Sequence, residues 1–306
     1  MEKSIRAISV TGSVALVVGI AESILGFSGA VRRQVQKTKS ARRRLNDNVT
    51  TRPPTSAPTA TATATAATTP ESVDLFGTTY EVGTTYRISQ VGSELSGTIP
   101  TEIGFLTELT HLFLGLGDIF GDIPSEIGCL TSLKALNMFG NELSNRVPSE
   151  IGLLTELTGL FLYNNKLTNG LPTELGLLTQ MSVLSVHHNI LSDSIPSEIG
   201  FLTNLSIVWL SYNQLSNCLP SEIGLLTKLM ALGLAYNSFS SITPSEMEAL
   251  THLNELYLSN NQLSGSVPSS LCANPGLIEI QVDCLLDSFP VDPVGCSCRE
   301  CTCAGS

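Results

Sequence analysis

The sequence predicts an α/β-type repeat solenoid, with a parallel β-sheet along one side and short 3₁₀ or irregular turns along the other. Three features predict it: a proline every 24 residues, a short run of alternating leucines in each repeat, and an asparagine at a fixed distance after most of these runs. A fixed period outweighs chain length as a guide to architecture, so we expect one elongated repeat domain. The prolines are Pro100, Pro124, Pro148, Pro172, Pro196, Pro220, Pro244 and Pro268.

Each leucine run has the alternation of a short strand. In Leu160-Phe161-Leu162 and Leu256-Tyr257-Leu258, two side chains face one side and the residue between them faces the other. Parallel stacking of such strands buries both leucines of every run. The proline then fixes φ where the chain turns away from the sheet, and the Ser/Thr-Glu pair behind it suits the start of a 3₁₀ or helical turn.

A column of asparagines lies three residues after the last leucine of each run. A buried amide must bond the backbone of neighbouring turns, because an unsatisfied one costs about 1–3 kcal/mol. We therefore predict a structural asparagine ladder along the solenoid. Gly117 stands where the first ladder residue is expected, which predicts a looser first turn. The ladder residues are Asn141, Asn165, Asn189, Asn213, Asn237 and Asn261.

These columns resemble the leucine-rich repeat proteins, in particular the plant-specific class with the pattern LxGxIPxxIGxLxxLxxLxLxxN. The pattern is visible from Leu95 through Pro100 and Gly104 to Leu114, and the resemblance extends over roughly residues 95–282. It implies a horseshoe solenoid whose parallel sheet lines the concave face. It also implies binding of a protein or peptide on that face, as in receptor ectodomains and polygalacturonase inhibitors.

The N-terminal region is expected to direct the chain to or across a membrane. Residues 1–31 carry Lys3 and Arg6, then an apolar run from Ala7 to Val31 broken only by Glu22, which is typical of a signal peptide or a signal anchor. Both alternatives stay open, and residues 7–31 would contact the membrane if they were not cleaved.

Two further segments separate this region from the repeats. Residues 32–47 form a basic juxtamembrane or propeptide segment, which would hold the repeats in the cytosol if residues 1–31 remained a membrane anchor. A cleaved signal removes that conflict. Residues 48–70 are rich in Thr, Ala and Pro, bury almost nothing and are expected to be a disordered stalk.

Charge is distributed unevenly along the chain. Residues 1–70 carry 10 Lys and Arg against 3 Asp and Glu, whereas the remaining residues carry 6 against 24. The acidic charge of the repeat region argues against nucleic acid as a partner. Two triplets, at Asn48 and Asn204, match the N-glycosylation acceptor pattern.

Both ends of the repeat array, residues 95–271 with about eight repeats, require a cap. Residues 71–94 are predicted to form an N-terminal cap hairpin turning at Val82-Gly83. Residues 272–306 are predicted to form a Cys-rich C-terminal cap with disulfides, which implies an oxidising, extracellular compartment. A zinc site in the cytosol is the rival interpretation of the last four cysteines. The predicted disulfide residues are Cys272, Cys284, Cys296, Cys298, Cys301 and Cys303.

Cys129 and Cys218 lie too far apart in the repeats to pair, so we expect them to be free and packed. His187 and His188 are adjacent on a strand and point differently, with no third ligand close in the pattern, so no metal site is predicted. They are expected instead to contact a partner and to add pH sensitivity to binding. No cofactor is predicted.

Ligand binding is expected on the concave face, where aromatic side chains lie outside the core. Such residues are enriched in binding hot spots. The sequence thus predicts a secreted or surface-anchored recognition module, without enzymatic activity, that binds a protein, peptide or glycan. A structural or ice-binding solenoid and a cytosolic interaction scaffold are the alternatives. The predicted ligand-binding residues are Phe113, Phe139, Phe161, Tyr163, His187, His188, Trp209, Tyr212, Tyr236 and Tyr257.

Overall fold

The computed structural model describes residues 69–282, except for 93, 265, 266 and 278. Its largest element is a nine-stranded sheet, in which all neighbouring strands are parallel and follow one another across the sheet in chain order. Paired residues are 24 apart in sequence, as in Leu184 with Val208, so the period of the sequence is the register of the sheet. The strands are β3 (Arg87–Val91), β5 (His111–Gly115), β7 (Ala135–Asn137), β9 (Gly159–Phe161), β11 (Val183–Ser185), β12 (Ile207–Trp209), β14 (Ala231–Gly233), β16 (Glu255–Tyr257) and β18 (Glu279–Gln281).

A second line of short parallel strands follows the asparagine column. It forms a four-stranded sheet and a three-stranded sheet among the described residues. The first contains β4 (Ser96–Gly97), β6 (Asp118–Gly121), β8 (Glu142–Asn145) and β10 (Lys166–Leu167), and the second contains β13 (Ser216–Asn217), β15 (Ser238–Ile242) and β17 (Gln262–Ser264).

Short 3₁₀ helices lie on the other side of the core from the nine-stranded sheet. In each, the repeat proline occupies the N-cap position in extended conformation, so it starts the turn as the sequence predicts. The glycine of each Ile-Gly or Leu-Gly pair allows close stacking: a Cβ atom on Gly152 would lie 2.6 Å from the Glu174 carbonyl oxygen. The helices are η1 (Thr101–Phe105), η2 (Ser125–Cys129), η3 (Ser149–Leu153), η4 (Thr173–Leu177), η5 (Ser197–Phe201), η6 (Ser221–Leu225) and η7 (Ser245–Ala249), followed by α1 (Ser269–Cys272).

Leucine and isoleucine side chains from strands and turns fill one continuous core that runs from Val73 to Ile280. The inward residues of the strands are leucine, isoleucine, valine or methionine in most repeats, and Leu160 and Leu162 have no exposed surface. Burial of these side chains is the main stabilising contribution, at about 1.5–3 kcal/mol for each large aliphatic residue. This architecture confirms the predicted fold class.

The asparagine column joins successive repeats through the backbone. Asn189 is typical: its Oδ1 atom accepts from the Leu167 N–H at 3.0 Å, and its Nδ2 atom donates to the carbonyls of Leu162 and Val186, both at 3.0 Å. The other five asparagines repeat this arrangement.

At the first turn, Gly117 has no ladder side chain but packs closely against its neighbours. The Gly117 N–H donates to Asn141 Oδ1 at 3.1 Å, and a Cβ atom on Gly117 would lie 2.7 Å from Leu95 Cβ. Glycine therefore stands at this position because the Leu95 backbone passes too close for an asparagine.

The N-terminal hairpin lies earlier in the chain than predicted. Strands β1 (Ser72–Leu75) and β2 (Thr78–Glu81) pair antiparallel around Phe76-Gly77, both of which have positive φ. The Gly77 N–H donates to Asp74 Oδ1 at 3.0 Å and supports this turn. Val82-Gly83 is therefore not the hairpin turn, since Arg87–Val91 joins the main sheet as its first strand. Val73 and Leu75 are buried in the same core as the repeats.

At the other end, β18 adds a ninth strand within the segment predicted to be the Cys-rich cap. The side chain of Cys272 and all of Cys284, Cys296, Cys298, Cys301 and Cys303 lie outside the described residues, as do Asn48, the signal segment, the basic segment and most of the stalk. Within residues 69–282, no helix has the length and apolar character needed to cross a bilayer.

Candidate functional site

The sheet face is the side of the nine-stranded sheet that points away from the core. It consists of the residue between the two inward aliphatic residues of each repeat, such as Phe161 between Leu160 and Leu162, the residue two positions before it, and the residues two and three positions after it. All ten predicted ligand-binding residues lie on this face. For seven of them the reason is alternation along the strand, which sends the leucines inward and the residues between them outward. The other three, His188, Tyr212 and Tyr236, follow the strands on left-handed backbone.

Six of these ten residues form one continuous stack of rings, which we call the ring ladder. Neighbouring rings stack with centroids 4.8 Å apart for Phe139 and Tyr163, 4.6 Å for Tyr163 and His187, 4.2 Å for His188 and Tyr212, and 4.3 Å for Tyr212 and Tyr236. These distances are close to the spacing between strands, about 4.7–4.9 Å. Stacked pairs of this kind contribute about 0.5–1.5 kcal/mol each.

The ladder changes column at His187 and His188. Their rings meet edge to face with centroids 5.2 Å apart, so that the column of Phe139 and Tyr163 continues into the neighbouring column of Tyr212 and Tyr236. Adjacent histidines thus join two half-ladders into a surface that crosses five strands. A search for aromatic columns in the sequence finds both halves but not this junction.

The residues in the second half of the ring ladder have a left-handed backbone conformation. His188, Tyr212 and Tyr236 have φ of 54°, 58° and 57°, the left-handed conformation, which Asn164 and Asn260 adopt at the same position of other repeats. Asparagine tolerates this conformation, whereas a tyrosine there costs of order 1–3 kcal/mol. Two tyrosines are therefore kept at a local cost, and they are 42% and 44% exposed.

Burial tunes the ionisable rings of the ladder. Burial, together with the nearby His188, lowers the pKa of His187 to about 3, and burial raises the pKa of Tyr163 to about 12. His187 is therefore neutral between pH 5 and 8, so the pH sensitivity that the sequence suggested for the histidine pair would not come from this ring. Its Nδ1 atom lies 3.0 Å from Ser185 Oγ, which fixes the ring orientation.

Glycines on the sheet face make room for the largest rings. Phe139 covers Gly115, and Trp209 leans over Gly233 so that its ring comes within 5.5 Å of Tyr257 on the next strand but one. Phe161 lies over Gly159 in its own strand and is only 5% exposed. Phe161 therefore offers little surface to a ligand, although the sequence groups it with the others.

Charged side chains lie only at the two ends of the sheet face, among the described residues. Arg87 lies at one end, with its guanidinium carbon 5.3 Å from the centre of the Phe113 ring. Glu255 and Glu279 are register partners at the other end. Neither glutamate is among the predicted site residues, although both occupy one column of the repeat, two residues before the outward residue of the strand.

A second regular surface, the turn face, lies on the 3₁₀ helices and the residues that follow them. Its apolar column has five large side chains that are 40–63% exposed. A parallel column holds seven exposed threonines at the 24-residue spacing. The apolar column is Phe105, Cys129, Leu153, Leu177, Phe201, Leu225 and Ala249, and the threonines are Thr107, Thr131, Thr155, Thr179, Thr203, Thr227 and Thr251.

Three further residues for which the sequence makes a prediction lie in the described part of the chain. Cys129 and Cys218 are free, but both are exposed, so the prediction that they pack is wrong. Cys129 belongs to the outward apolar column of the turns. The Asn204 amide donates to the Thr179 carbonyl at 2.9 Å and accepts from Lys228 Nζ at 2.7 Å, and its glycosylation stays a prediction.

Comparison with known proteins places this fold. The family model of the leucine rich repeat matches residues 252–274. No curated protein sequence matches the chain.

Among solved structures, the leucine-rich repeat ectodomain of the Arabidopsis thaliana receptor kinase GASSHO1/SCHENGEN3, in complex with CASPARIAN STRIP INTEGRITY FACTOR 2, is 32% identical with a TM-score of 0.60, over 63% of this chain and 26% of that one. The plant peptide hormone receptor RGFR1, in complex with RGF2, is 34% identical with a TM-score of 0.58, over 64% and 34%. The chain thus spans about a quarter to a third of these receptor structures.

A plant ice-binding protein is 28% identical with a TM-score of 0.50, and the match covers 63% of this chain and 72% of that one. The repeat geometry, the family model and these neighbours agree. The chain is a leucine-rich repeat protein of the plant type, and its solenoid resembles the ectodomains of plant receptors.

Proposed function

We propose that the protein is a recognition module that binds a peptide or protein segment on its sheet face, without catalysing a reaction. The ring ladder is the observation that carries this proposal. It combines two half-exposed tyrosines with the junction of His187 and His188, and it persists although its second half has a costly backbone conformation. Strain of this kind is concentrated at functional sites.

The ladder favours a peptide over a glycan as ligand. The faces of its rings are occupied by neighbouring rings, so a flat ligand has no open ring face within it. What the ladder turns outward are ring edges, which are electropositive, and the polar atoms of tyrosine and histidine. These groups suit carbonyl and carboxylate oxygens, which an extended peptide presents along its length.

The similar receptors support the same class of ligand, since one is a peptide hormone receptor in complex with RGF2. We further propose that the protein acts outside the cell or at the cell surface, because the similar ectodomains belong to a plant membrane receptor kinase and a hormone receptor. The predicted signal segment and terminal disulfides would suit that compartment.

The test is selection of a randomised dodecapeptide library, displayed on phage, on the immobilised full-length chain. Selected peptides should lose most of their binding to the double variant Trp209→Ala/Tyr212→Ala. The first change removes the indole that covers Gly233, and the second interrupts the ring ladder. The matched control is Phe201→Ala/Leu225→Ala, which removes apolar surface from the turn face. Equal retention on both variants would remove the sheet face from consideration.

Ice binding through the turn face is the second candidate function. The observation that favours it is the pair of exposed columns, one of threonine and one mostly apolar, repeating at about the strand spacing of 4.8 Å. The columns of the sheet face are too heterogeneous for ice binding, which needs a regular array. The regular array lies on the turns instead, and a plant ice-binding protein is among the similar structures.

Thermal hysteresis and inhibition of ice recrystallisation test this candidate directly. The native chain should slow recrystallisation, and Thr155→Lys/Thr179→Lys/Thr203→Lys should abolish the effect by interrupting the array. The Trp209→Ala/Tyr212→Ala variant should retain it. An inactive native chain, or an active triple variant, would eliminate ice binding through this surface.

A further inference from the structure

The sheet face carries opposite charges at its two ends. Its positions on β7, β9, β11, β12 and β14 hold no Asp, Glu, Lys or Arg. The charges lie beyond this neutral stretch, with Arg87 on the first strand and Glu255 and Glu279 on the last two. A ligand lying across the strands therefore meets opposite charges at its two ends.

The basic end combines a cation with an aromatic surface. The Arg87 guanidinium lies over the Phe113 ring at 5.3 Å, and His111 lies beside the same ring with centroids 6.0 Å apart. Burial lowers the pKa of His111, and the positive charges of Arg87 and Lys134 lower it further. On the sheet face itself, Arg87 is the charged side chain at this end.

The acidic end holds two carboxylates on adjacent parallel strands. Glu255 and Glu279 are register partners, and the Tyr257 hydroxyl donates to Glu255 Oε2 at 3.4 Å. Burial raises the pKa of Glu255, and the charge of Glu279 raises it further. A cation placed between them would relieve this repulsion, and the Trp209–Tyr257 pair beside them is a surface on which an ammonium or guanidinium group can rest.

We propose that the sheet face binds an extended peptide of asymmetric charge, with its basic end over Glu255 and Glu279, its uncharged centre along the ring ladder, and its acidic end over Arg87. This inference rests on the proposed function and adds the chemistry and direction of the ligand. From β3 to β16 the sheet spans roughly 34 Å at about 4.8 Å per strand. An extended chain covers that distance with about 10 residues.

Charge complementarity of this kind sets register and speeds association more than it adds affinity. It also rejects a peptide lying in the opposite direction, because like charges would then meet at both ends. The neutral centre contributes contact area in either direction. The ends therefore decide which way the ligand lies.

The experiment repeats the dodecapeptide selection on the full-length chain and on charge variants. The native chain should enrich peptides with basic residues at one end and acidic residues at the other. Glu255→Lys/Glu279→Lys should enrich peptides that are acidic at both ends, and Arg87→Glu should enrich peptides that are basic at both ends. Glu255→Gln/Glu279→Gln, which keeps the side-chain shape, should lose the preference for a basic end without gaining an acidic one.

Peptides selected on the native chain should bind the Glu255→Lys/Glu279→Lys variant at least tenfold more weakly at low salt, with circular dichroism confirming the fold of each variant. An unchanged charge pattern across the variants, together with loss of binding on Trp209→Ala/Tyr212→Ala, would overturn the directional inference and leave the proposed function standing. No enrichment, or binding that none of these variants affects, would overturn both.

Discussion

Trp209 lies across Gly233 of the next strand, so closely that a Cβ atom on Gly233 would come within 2.5 Å of the indole Cζ3 atom. Because Gly233 has no side chain, the indole crosses its strand and reaches Tyr257 beyond it. The missing side chain at Gly233 thereby allows an aromatic contact between Trp209 and Tyr257, whose strands are not neighbours. Gly115 beneath Phe139 repeats the device at the start of the ring ladder.

Gly233→Ala should therefore displace Trp209. Overpacking at a close-packed position costs about 1–3 kcal/mol, so the free energy of unfolding should fall by that amount. Trp209 is the only tryptophan of the chain, so its fluorescence emission reports the displacement without interference. Gly159→Ala is the matched control, because it crowds Phe161 instead. An unchanged emission spectrum in Gly233→Ala would show that the indole does not rest on this glycine.

Because Tyr236 has a left-handed backbone conformation, we expect glycine to be more stable than alanine at this position. Tyr236→Ala and Tyr236→Gly both remove the ring contact with Tyr212, but alanine keeps the conformational cost that glycine avoids. Tyr236→Gly should therefore be more stable than Tyr236→Ala by about 1 kcal/mol, opposite to the usual order of these residues in regular structure. Denaturant titrations of the two variants measure the difference, and a more stable alanine variant would contradict the assigned backbone conformation.

Replacement of Asn189 tests the asparagine ladder. Asn189→Ala leaves the Leu167 N–H and the carbonyls of Leu162 and Val186 without this partner, so we expect a loss of about 3 kcal/mol in unfolding free energy. Asn189→Asp should be worse at neutral pH, because a carboxylate would face two carbonyl oxygens. Urea denaturation at pH 7 compares the variants, and a cost below about 0.5 kcal/mol for Asn189→Ala would mean that water replaces the amide.

The architecture was predictable because the same pattern of buried residues recurs in every repeat. Each buried column repeats at the spacing of the sheet register, so an error in one repeat is corrected by the others. The N-terminal hairpin occurs once and lacks this redundancy. Phe76-Gly77 and Val82-Gly83 both suit a turn between alternating residues, and only the pairing of Arg87 with His111 in the main sheet decides between them.

Side-chain direction outside the strands was harder to predict. Alternation shows that Phe161 and Trp209 point outward, but it does not show that Phe161 folds onto Gly159 while Trp209 reaches across Gly233. The junction of His187 and His188 depends on the left-handed backbone at His188, which hydrophobic periodicity does not encode. Cys129 was expected to pack because cysteine is commonly buried, yet its column faces solvent at the end of a turn.

Acid should destabilise the protein through His187. Its pKa is about 3 in the folded chain, against about 6.5 when unfolded, so between these values the unfolded state binds more protons. This contribution to stability is complete above pH 6.5 and is lost as pH falls toward 3, at up to about 1.4 kcal/mol per pH unit. His187→Phe keeps a ring against Tyr163 and removes the proton site, so its unfolding free energy should decline less than that of the native chain between pH 6.5 and 4. Urea denaturation across this range measures how the unfolding free energy of each protein depends on pH.

His252→Gln, which replaces an exposed histidine elsewhere, is the control. An equal pH dependence for the native chain and His187→Phe would show that the His187 ring protonates in the folded chain without cost.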